Sequence, residues 1–79
     1  MKITISEEQK EEFLRVYRHD FETSLVSKGE VSSYYSGMCT GMEFVLTKLG
    51  IITPEEISKA QIEVKERLED ERSKPIIYE

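Results

Sequence analysis

Apolar positions recur every three or four residues in three segments of this chain, and helix-capping residues mark most of the segment ends. In the first segment Ser6 and Gln9 have the spacing of a capping box, and Lys28 with Gly29 is typical of a helix C-terminus. Between these ends the apolar positions 13, 17, 21 and 25 form a four-residue repeat. The pattern predicts a first helix over residues 7–27.

The second segment is unusual because it combines an apolar repeat with several small residues. Tyr34, Met38, Met42, Val45 and Leu49 recur at intervals of three and four, and the glycine at position 50 can close a helix. The pattern predicts a second helix over residues 33–49. The glycines at positions 37 and 41 lower its helix propensity, so packing must compensate.

The third segment has the clearest start. Thr53 suits the N-cap, Pro54 suits the first helical position, and Glu56 can complete a capping box. Apolar and amphipathic residues then follow at positions 57, 61, 64 and 68, a spacing that resembles a coiled-coil seam. We predict a third helix over residues 54–72.

Together the segments predict an all-α fold, a three-helix hairpin or bundle in a single domain over residues 1–79. A chain this short buries only about 60% of the surface that its unfolded form exposes, so we expect homodimerisation to complete the bundle. Segments 1–5 and 73–79 are expected to be flexible tails or to pair as short strands. The predicted core consists of Phe13, Tyr17, Phe21, Leu25, Met38, Met42, Val45, Leu46, Leu49, Ile57, Val64 and Leu68.

Charge and composition narrow the possible functions. The chain has 16 acidic and 11 basic residues, and this balance disfavours direct nucleic-acid binding. No apolar run approaches the roughly 20 residues of a membrane-spanning helix, and the N-terminus does not resemble a secretory signal. A single cysteine cannot form an internal disulfide and is typical of a reducing cytoplasm. We therefore expect a cytoplasmic protein with no membrane partner.

Candidates for chemistry are few. His19 shares a helix face with Glu22, but one imidazole and neighbouring carboxylates fall short of a transition-metal ligand set, so we expect a solvated face. Cys39 lies mid-helix without a nearby base, and we expect a small buried thiol, since only a tertiary contact with His19 could make it a nucleophile. We predict a non-enzymatic protein without cofactor or metal.

Small residues mark one strip of the second helix. Ser33, Gly37 and Gly41 recur every four residues, and such a strip lets another helix approach closely. The alternative is a ligand site at the start of this helix, where free amides, hydroxyls and two tyrosines could hold a phosphate or nucleotide. That site would consist of Ser32, Ser33, Tyr34, Tyr35 and Ser36.

Self-association is the predicted use of the strip. We expect a two-fold homodimer or a higher oligomer, because the third helix has a seam without enough core to fill both of its sides. The predicted self-association residues are Ser33, Gly37, Gly41, Ile57, Val64 and Leu68.

Acidic residues cluster in the first and third helices. Basic residues interleave with them, which is typical of a solvated helix surface and disfavours a DNA mimic. An acidic face can still steer the protein to a basic partner surface. The residues that we assign to this face are Glu11, Glu12, Glu69 and Asp70.

The segment from Leu49 to Ile57 resembles the Gly-x-Ile-Thr-x-Glu-Glu turn of short helical-hairpin modules at bacterial protein C-termini and in small phage proteins. It departs from that pattern in having Ile57 where an aromatic residue often follows the glutamates. The resemblance implies oligomerisation or docking. The whole chain is similar to short acidic accessory proteins of phages and prophages of Gram-positive bacteria.

This resemblance implies a protein of the host cytoplasm that binds and modulates or inhibits a host macromolecule through a protein partner. The alternative from the residues is an oligomer that sequesters a nucleotide-like small molecule. Charge reversal at Glu11, Glu12 or Glu69 would weaken the first function, whereas loss of Tyr35 would weaken the second.

Overall fold

A computed structural model of the chain describes residues 4–73 and contains three α-helices in that range: α1 (Glu7–Val26), α2 (Gly29–Lys48) and α3 (Pro54–Ser73). α1 packs against both other helices, whereas α2 and α3 contact each other much less. The all-α, three-helix prediction is confirmed. The segments predicted to pair as strands lie mostly outside the described residues.

Side-chain contacts fix the directions of the helices. Ser32 on α2 donates a hydrogen bond to the carbonyl oxygen of Ser24 on α1, across a short connection, so α1 and α2 run antiparallel. Lys10 on α1 pairs with Glu56 near the start of α3, and further along the same helices Arg18 pairs with Glu63. α1 and α3 therefore run parallel, with α2 as the return.

Both predicted capping boxes are present. The amide of Gln9 donates to Ser6 Oγ over 3.1 Å, and the amide of Ser6 donates to Gln9 Oε1 over 3.0 Å. At α3 the amide of Glu56 donates to Thr53 Oγ1 and the amide of Thr53 donates to the Glu56 carboxylate. These reciprocal bonds satisfy amides that the first helical turn leaves without a partner.

A glycine ends α2, as the sequence indicates. Gly50 has φ +72°, and its amide donates to the carbonyl oxygen of Thr47. The amide of Ile51 donates to the carbonyl oxygen of Leu46. This pair of bonds is a Schellman motif, which needs the left-handed backbone that glycine adopts freely. The motif turns the chain from α2 toward α3.

The second helix begins four residues earlier than predicted. Gly29 has the left-handed φ of +66° that a glycine helix end requires, but the prediction that it ends α1 is wrong, because Ser27 is the extended C-cap of α1 and α2 starts at Gly29. Helices α1 and α2 are therefore joined by Ser27 and Lys28 alone. One left-handed residue reverses the chain, so residues 30–32 are free to join α2.

The core lies between the three helices, with α1 at its centre. The predicted core residues Tyr17, Leu46, Ile57 and Val64 are buried, and Phe21, Met42 and Leu68 are partly buried. The prediction of Cys39 as a buried thiol is also confirmed. Reasoning from the sequence did not include the remaining buried apolar side chains, Leu14, Ile52 and Ala60.

Part of the core prediction is wrong, because five of its residues are substantially exposed: Phe13, Leu25, Met38, Val45 and Leu49. On α1 the reason is geometric. A strict four-residue repeat rotates by about 40° per step around a helix of 3.6 residues per turn, so positions 13 and 25 lie about 120° apart. The residues in the middle of that stripe pack in the core, together with Leu14, which lies beside it.

On α2 the apolar stripe is real but lies on a different side of the helix from the core. Cys39 and Leu46 are buried against the other helices, whereas Met38 and Val45, one position earlier in each case, are 37% and 50% exposed. Successive residues differ by about 100° around the axis, so the two stripes occupy adjacent faces. Contact with both α1 and α3 decided which face became the core.

Candidate functional site

The centre of the bundle contains a polar cluster with one residue from each helix. Tyr17 on α1 is fully buried, and its hydroxyl donates to Glu43 Oε2 on α2 over 3.0 Å. The Tyr17 hydroxyl oxygen in turn accepts a hydrogen bond of 2.8 Å from the side-chain amide of Gln61 on α3. Burial raises the pKa of Tyr17 well above its usual range, so the phenol is neutral at physiological pH. The cluster joins the three helices.

Cys39 lies on the inner side of α2 and is 4% exposed. Burial, with smaller contributions from Asp20 and Glu43, raises the pKa of the Cys39 thiol to about 11. The thiol is therefore protonated near pH 7, and a thiolate nucleophile would be a minor species. This environment is that of a structural cysteine.

Asp20 is a buried acidic residue, so the prediction of a solvated face around His19 is wrong for this neighbouring carboxylate. Its side chain is 6% exposed, and Oδ1 lies 3.2 Å from Nδ1 of His19, which itself is 70% exposed. The other carboxylate oxygen, Oδ2, is buried and has no hydrogen-bond partner. A buried oxygen without a partner loses its hydration without compensation, so Asp20 marks a locally unfavourable point between α1 and α2.

The serine and tyrosine site predicted for small anions loses the amides on which it depended. Because α2 begins at Gly29, Ser33 to Ser36 lie beyond the first turn, where amides bond within the helix. The hydroxyl of Ser32 already donates to Ser24, and the rings of Tyr34 and Tyr35 pack edge to face with centroids 5.2 Å apart.

The four acidic residues assigned to one partner-binding face lie in two separate places. Glu11 pairs with Arg18 over 3.0 Å near the start of α3, and Glu12 is exposed beside it. Glu69 and Asp70 lie near the other end of the bundle, where Glu69 borders a hollow with Leu25. At about 1.5 Å per residue along α1, the two groups are on the order of 20 Å apart.

The predicted self-association residues also divide into two sets. Ile57 and Val64 are 6% and 2% exposed and Leu68 is partly buried, so these three side chains pack within the chain. Ser33, Gly37 and Gly41 are exposed, and a Cβ atom added at either glycine would meet nothing within 4 Å. The strip is therefore open surface and takes no part in helix packing inside the chain.

A patch of large apolar side chains lies beside this strip. Phe13 and Val16 on α1 are 39% and 47% exposed, and on α2 Met38, Val45 and Leu49 are 37%, 50% and 41% exposed. We call these five residues the α1/α2 apolar face. Sequence reasoning found four of them as apolar but assigned them to the core.

Helix geometry places Val16 and the three α2 residues on the side of the α1–α2 pair that is turned away from α3, with Phe13 between Val16 and the buried Tyr17 around the axis of α1. On α1 the partners of α3 are Lys10, Arg18 and Glu22, and these point to the other side of the helix from Val16. On α2 the groove shared with α3 is lined by Glu43 and Thr47, whereas Met38, Val45 and Leu49 form the opposite flank.

The face is continuous across the two helices. The antiparallel register set by the Tyr17–Glu43 and Ser24–Ser32 bonds puts Phe13 and Val16 level with residues 40–47 of α2. A fully exposed residue of this size has an accessible surface of roughly 150–200 Å², so at the exposed fractions given above the five residues together leave on the order of 400 Å² in contact with water. A contiguous patch of this size is within the range of the largest patches on monomers, which are often functional.

Other kinds of site have less support in residues 4–73. No group of three or more His, Cys, Asp or Glu side chains that could hold a metal ion occurs among these residues. None of the helices described is both long enough and apolar enough to cross a membrane. Comparison with known proteins identifies no matching family model and no significantly similar curated protein or solved structure.

Proposed function

We propose that this chain is a small helical interaction protein that acts by forming a protein–protein interface through the α1/α2 apolar face, and not by catalysis. The observation that carries this proposal is the face itself, five large apolar residues at 37–50% exposure on one side of two antiparallel helices. Leaving this surface in water is unfavourable at about 25 cal/mol per Å². A partner that covers the face gains that free energy.

The residues that could support chemistry are used in other ways. The Cys39 thiol is buried and protonated, and His19 is exposed with Asp20 as its hydrogen-bond neighbour. The hydroxyl of Tyr17 bonds to both Glu43 and Gln61 at the centre of the bundle. These contacts favour structural roles over catalytic ones.

The wider role that we propose is that of an accessory protein of a phage or mobile element, which modulates a host macromolecule. It rests on the resemblance of residues 49–57 to hairpin modules of that kind. The apolar face supports the interaction part of this role. The scattered acidic residues favour steering by overall negative charge, with a net charge of −5, over one dedicated acidic site.

Site-specific photocrosslinking tests the proposal. A photoreactive phenylalanine analogue placed at Val45, in the apolar face, should crosslink to a protein in the cells that produce the chain. The same analogue at Ile62, which is 54% exposed on α3, is the matched control and should give at most weak crosslinks. Equal crosslinking at both positions, or no crosslink at Val45, would contradict the proposal.

A further inference from the structure

The surface that needs a partner is the α1/α2 apolar face, and its size indicates what kind of partner fits. A standard protein interface buries about 800 Å² per partner, of which about 56–65% is apolar, or roughly 450–520 Å². The five residues of the face supply on the order of 400 Å². Tyr34, 65% exposed on the same helix, and the partly buried Met42 supply the remainder.

The flank of this face is suited to close helix approach. Gly37 and Gly41 lie next to Met38 and Val45 on α2, with open space where their side chains would be. A row of bulky apolar side chains therefore runs beside a row of exposed glycines on the same helix, which a second copy can approach closely. Such self-complementarity is what a two-fold interface requires.

The charges at the edge of the face are also complementary under a two-fold rotation. Glu12 and Lys48 are both exposed and next in sequence to Phe13 and Leu49 of the face. In the single chain Lys48 Nζ lies 5.8 Å from the centre of the Phe44 ring, so its flexible side chain has to turn toward the face to meet a second copy. The Tyr17–Glu43 bond sets a register in which Glu12 is level with Lys48. A two-fold axis in the plane of the face and parallel to the helices would bring Glu12 of each copy to Lys48 of the other.

From these observations we propose that a second copy of this chain occupies the α1/α2 apolar face, with α1 of each copy packed on α2 of the other. The proposal rests on the proposed function and names the partner of that face. In this arrangement Phe13 and Val16 of one copy lie against residues 40–47 of the second. The α1 and α2 helices of the two copies then form a four-helix bundle in which each helix is antiparallel to its neighbours, the usual arrangement in such bundles.

Sedimentation equilibrium of the full chain tests the proposal. At about 100 µM the chain should have twice its 9.2 kDa mass. Val45→Glu should weaken the dimer by at least about 100-fold, because it places a charge in the centre of the apolar contact. Ile62→Glu is the matched control on α3 and should leave the dimer unchanged. A monomeric wild-type chain, or equal effects of the two variants, would overturn the proposal.

A charge exchange tests the arrangement without altering any apolar residue, so it also applies if Val45→Glu fails to fold. Lys48→Glu should weaken the dimer by about two- to fivefold, as expected for an exposed ion pair, and adding Glu12→Lys should restore it. A double variant as weak as Lys48→Glu would overturn the arrangement. If the chain is monomeric but crosslinks to a different protein through Val45, this inference fails and the proposed function stands.

Discussion

Helix α1 borders α3 on one side and α2 on another, and these two boundaries differ sharply in the side chains that cover them. Along the boundary with α3, three ion pairs link the two helices: Lys10–Glu56, Arg18–Glu63 and Glu22–Arg67. In addition, Lys65 Nζ lies 5.9 Å from the centre of the Phe21 ring. Along α2, the outer edge carries the α1/α2 apolar face, and buried Asp20 has an oxygen without a partner.

The difference shows which boundary is complete within one chain. The charged side chains along the α1–α3 edge pair with each other across it. Each edge contains one buried polar atom without a hydrogen-bond partner, Arg18 Nε on the α3 side and Asp20 Oδ2 on the α2 side, so the ion pairs are what distinguish the α1–α3 edge. The α1–α2 edge exposes apolar carbon, so its free energy falls when another surface covers it. A partner is therefore expected on the α2 side of α1 and not on the α3 side.

The largest effect should come from the residue that joins all three helices. Tyr17→Ala removes a fully buried aromatic ring and its hydrogen bonds to Glu43 and Gln61, and should cost about 3–5 kcal/mol of unfolding free energy. Chemical denaturation followed by circular dichroism measures this. Phe13→Ala is the control on the apolar face, and at concentrations where the chain is monomeric it should cost much less. Equal losses would place Phe13 in the core and remove the contrast.

A substitution at the α1–α2 boundary is expected to change the unfolding free energy by a smaller amount and in the opposite direction, toward higher stability. Asp20→Asn keeps the shape of the side chain but removes a buried charge, one of whose oxygens has no partner. We expect a gain in unfolding free energy on the order of 1 kcal/mol at pH 7, because a neutral amide is less costly to bury than a carboxylate even where one of its polar atoms still lacks a partner. Thermal unfolding measures it, with the exposed Glu8→Gln as a control that should change little. A lower melting temperature for Asp20→Asn would show that the charge is satisfied.

The smallest effect on stability is expected at the α1–α3 edge, where it should appear as a dependence of the melting temperature on pH. The hydrogen bond from Lys10, followed by bonds from Thr53, holds the pKa of Glu56 below its ordinary value of 4.5. A depressed folded-state pKa means that the stabilisation is fully present above pH 4.5 and is lost as the pH falls through the folded-state value.

Melting temperatures between about pH 3 and 7 test this prediction, since that range spans the ordinary and lowered values. The wild-type melting temperature should fall more steeply below pH 4.5 than that of Glu56→Gln, which cannot titrate at this position. Glu55→Gln is the neighbouring control and should follow the wild type. Parallel curves for wild type and Glu56→Gln would show that the ion pair contributes nothing to the α1–α3 edge.

Much of the local structure was predictable because it depends on residues close in sequence. The capping boxes at Ser6 and Thr53 and the helix end at Gly50 each involve groups within about five residues, and all three were predicted. The start of α2 was not, because a single left-handed Gly29 can either follow α1 or open the next helix. Only the packing of α2 on α1 distinguishes these two uses.

The sequence by itself therefore determined three helices, most of their ends and their apolar stripes, because short-range hydrogen bonds and periodicity encode them. Only the tertiary structure decided which stripe each helix buries. Met38 and Cys39 are adjacent in sequence, yet one is exposed and the other buried, because α1 and α3 together cover only one side of α2. The same packing brought Tyr17, Glu43 and Gln61 together, since contacts across 26 and 44 residues have no local signal.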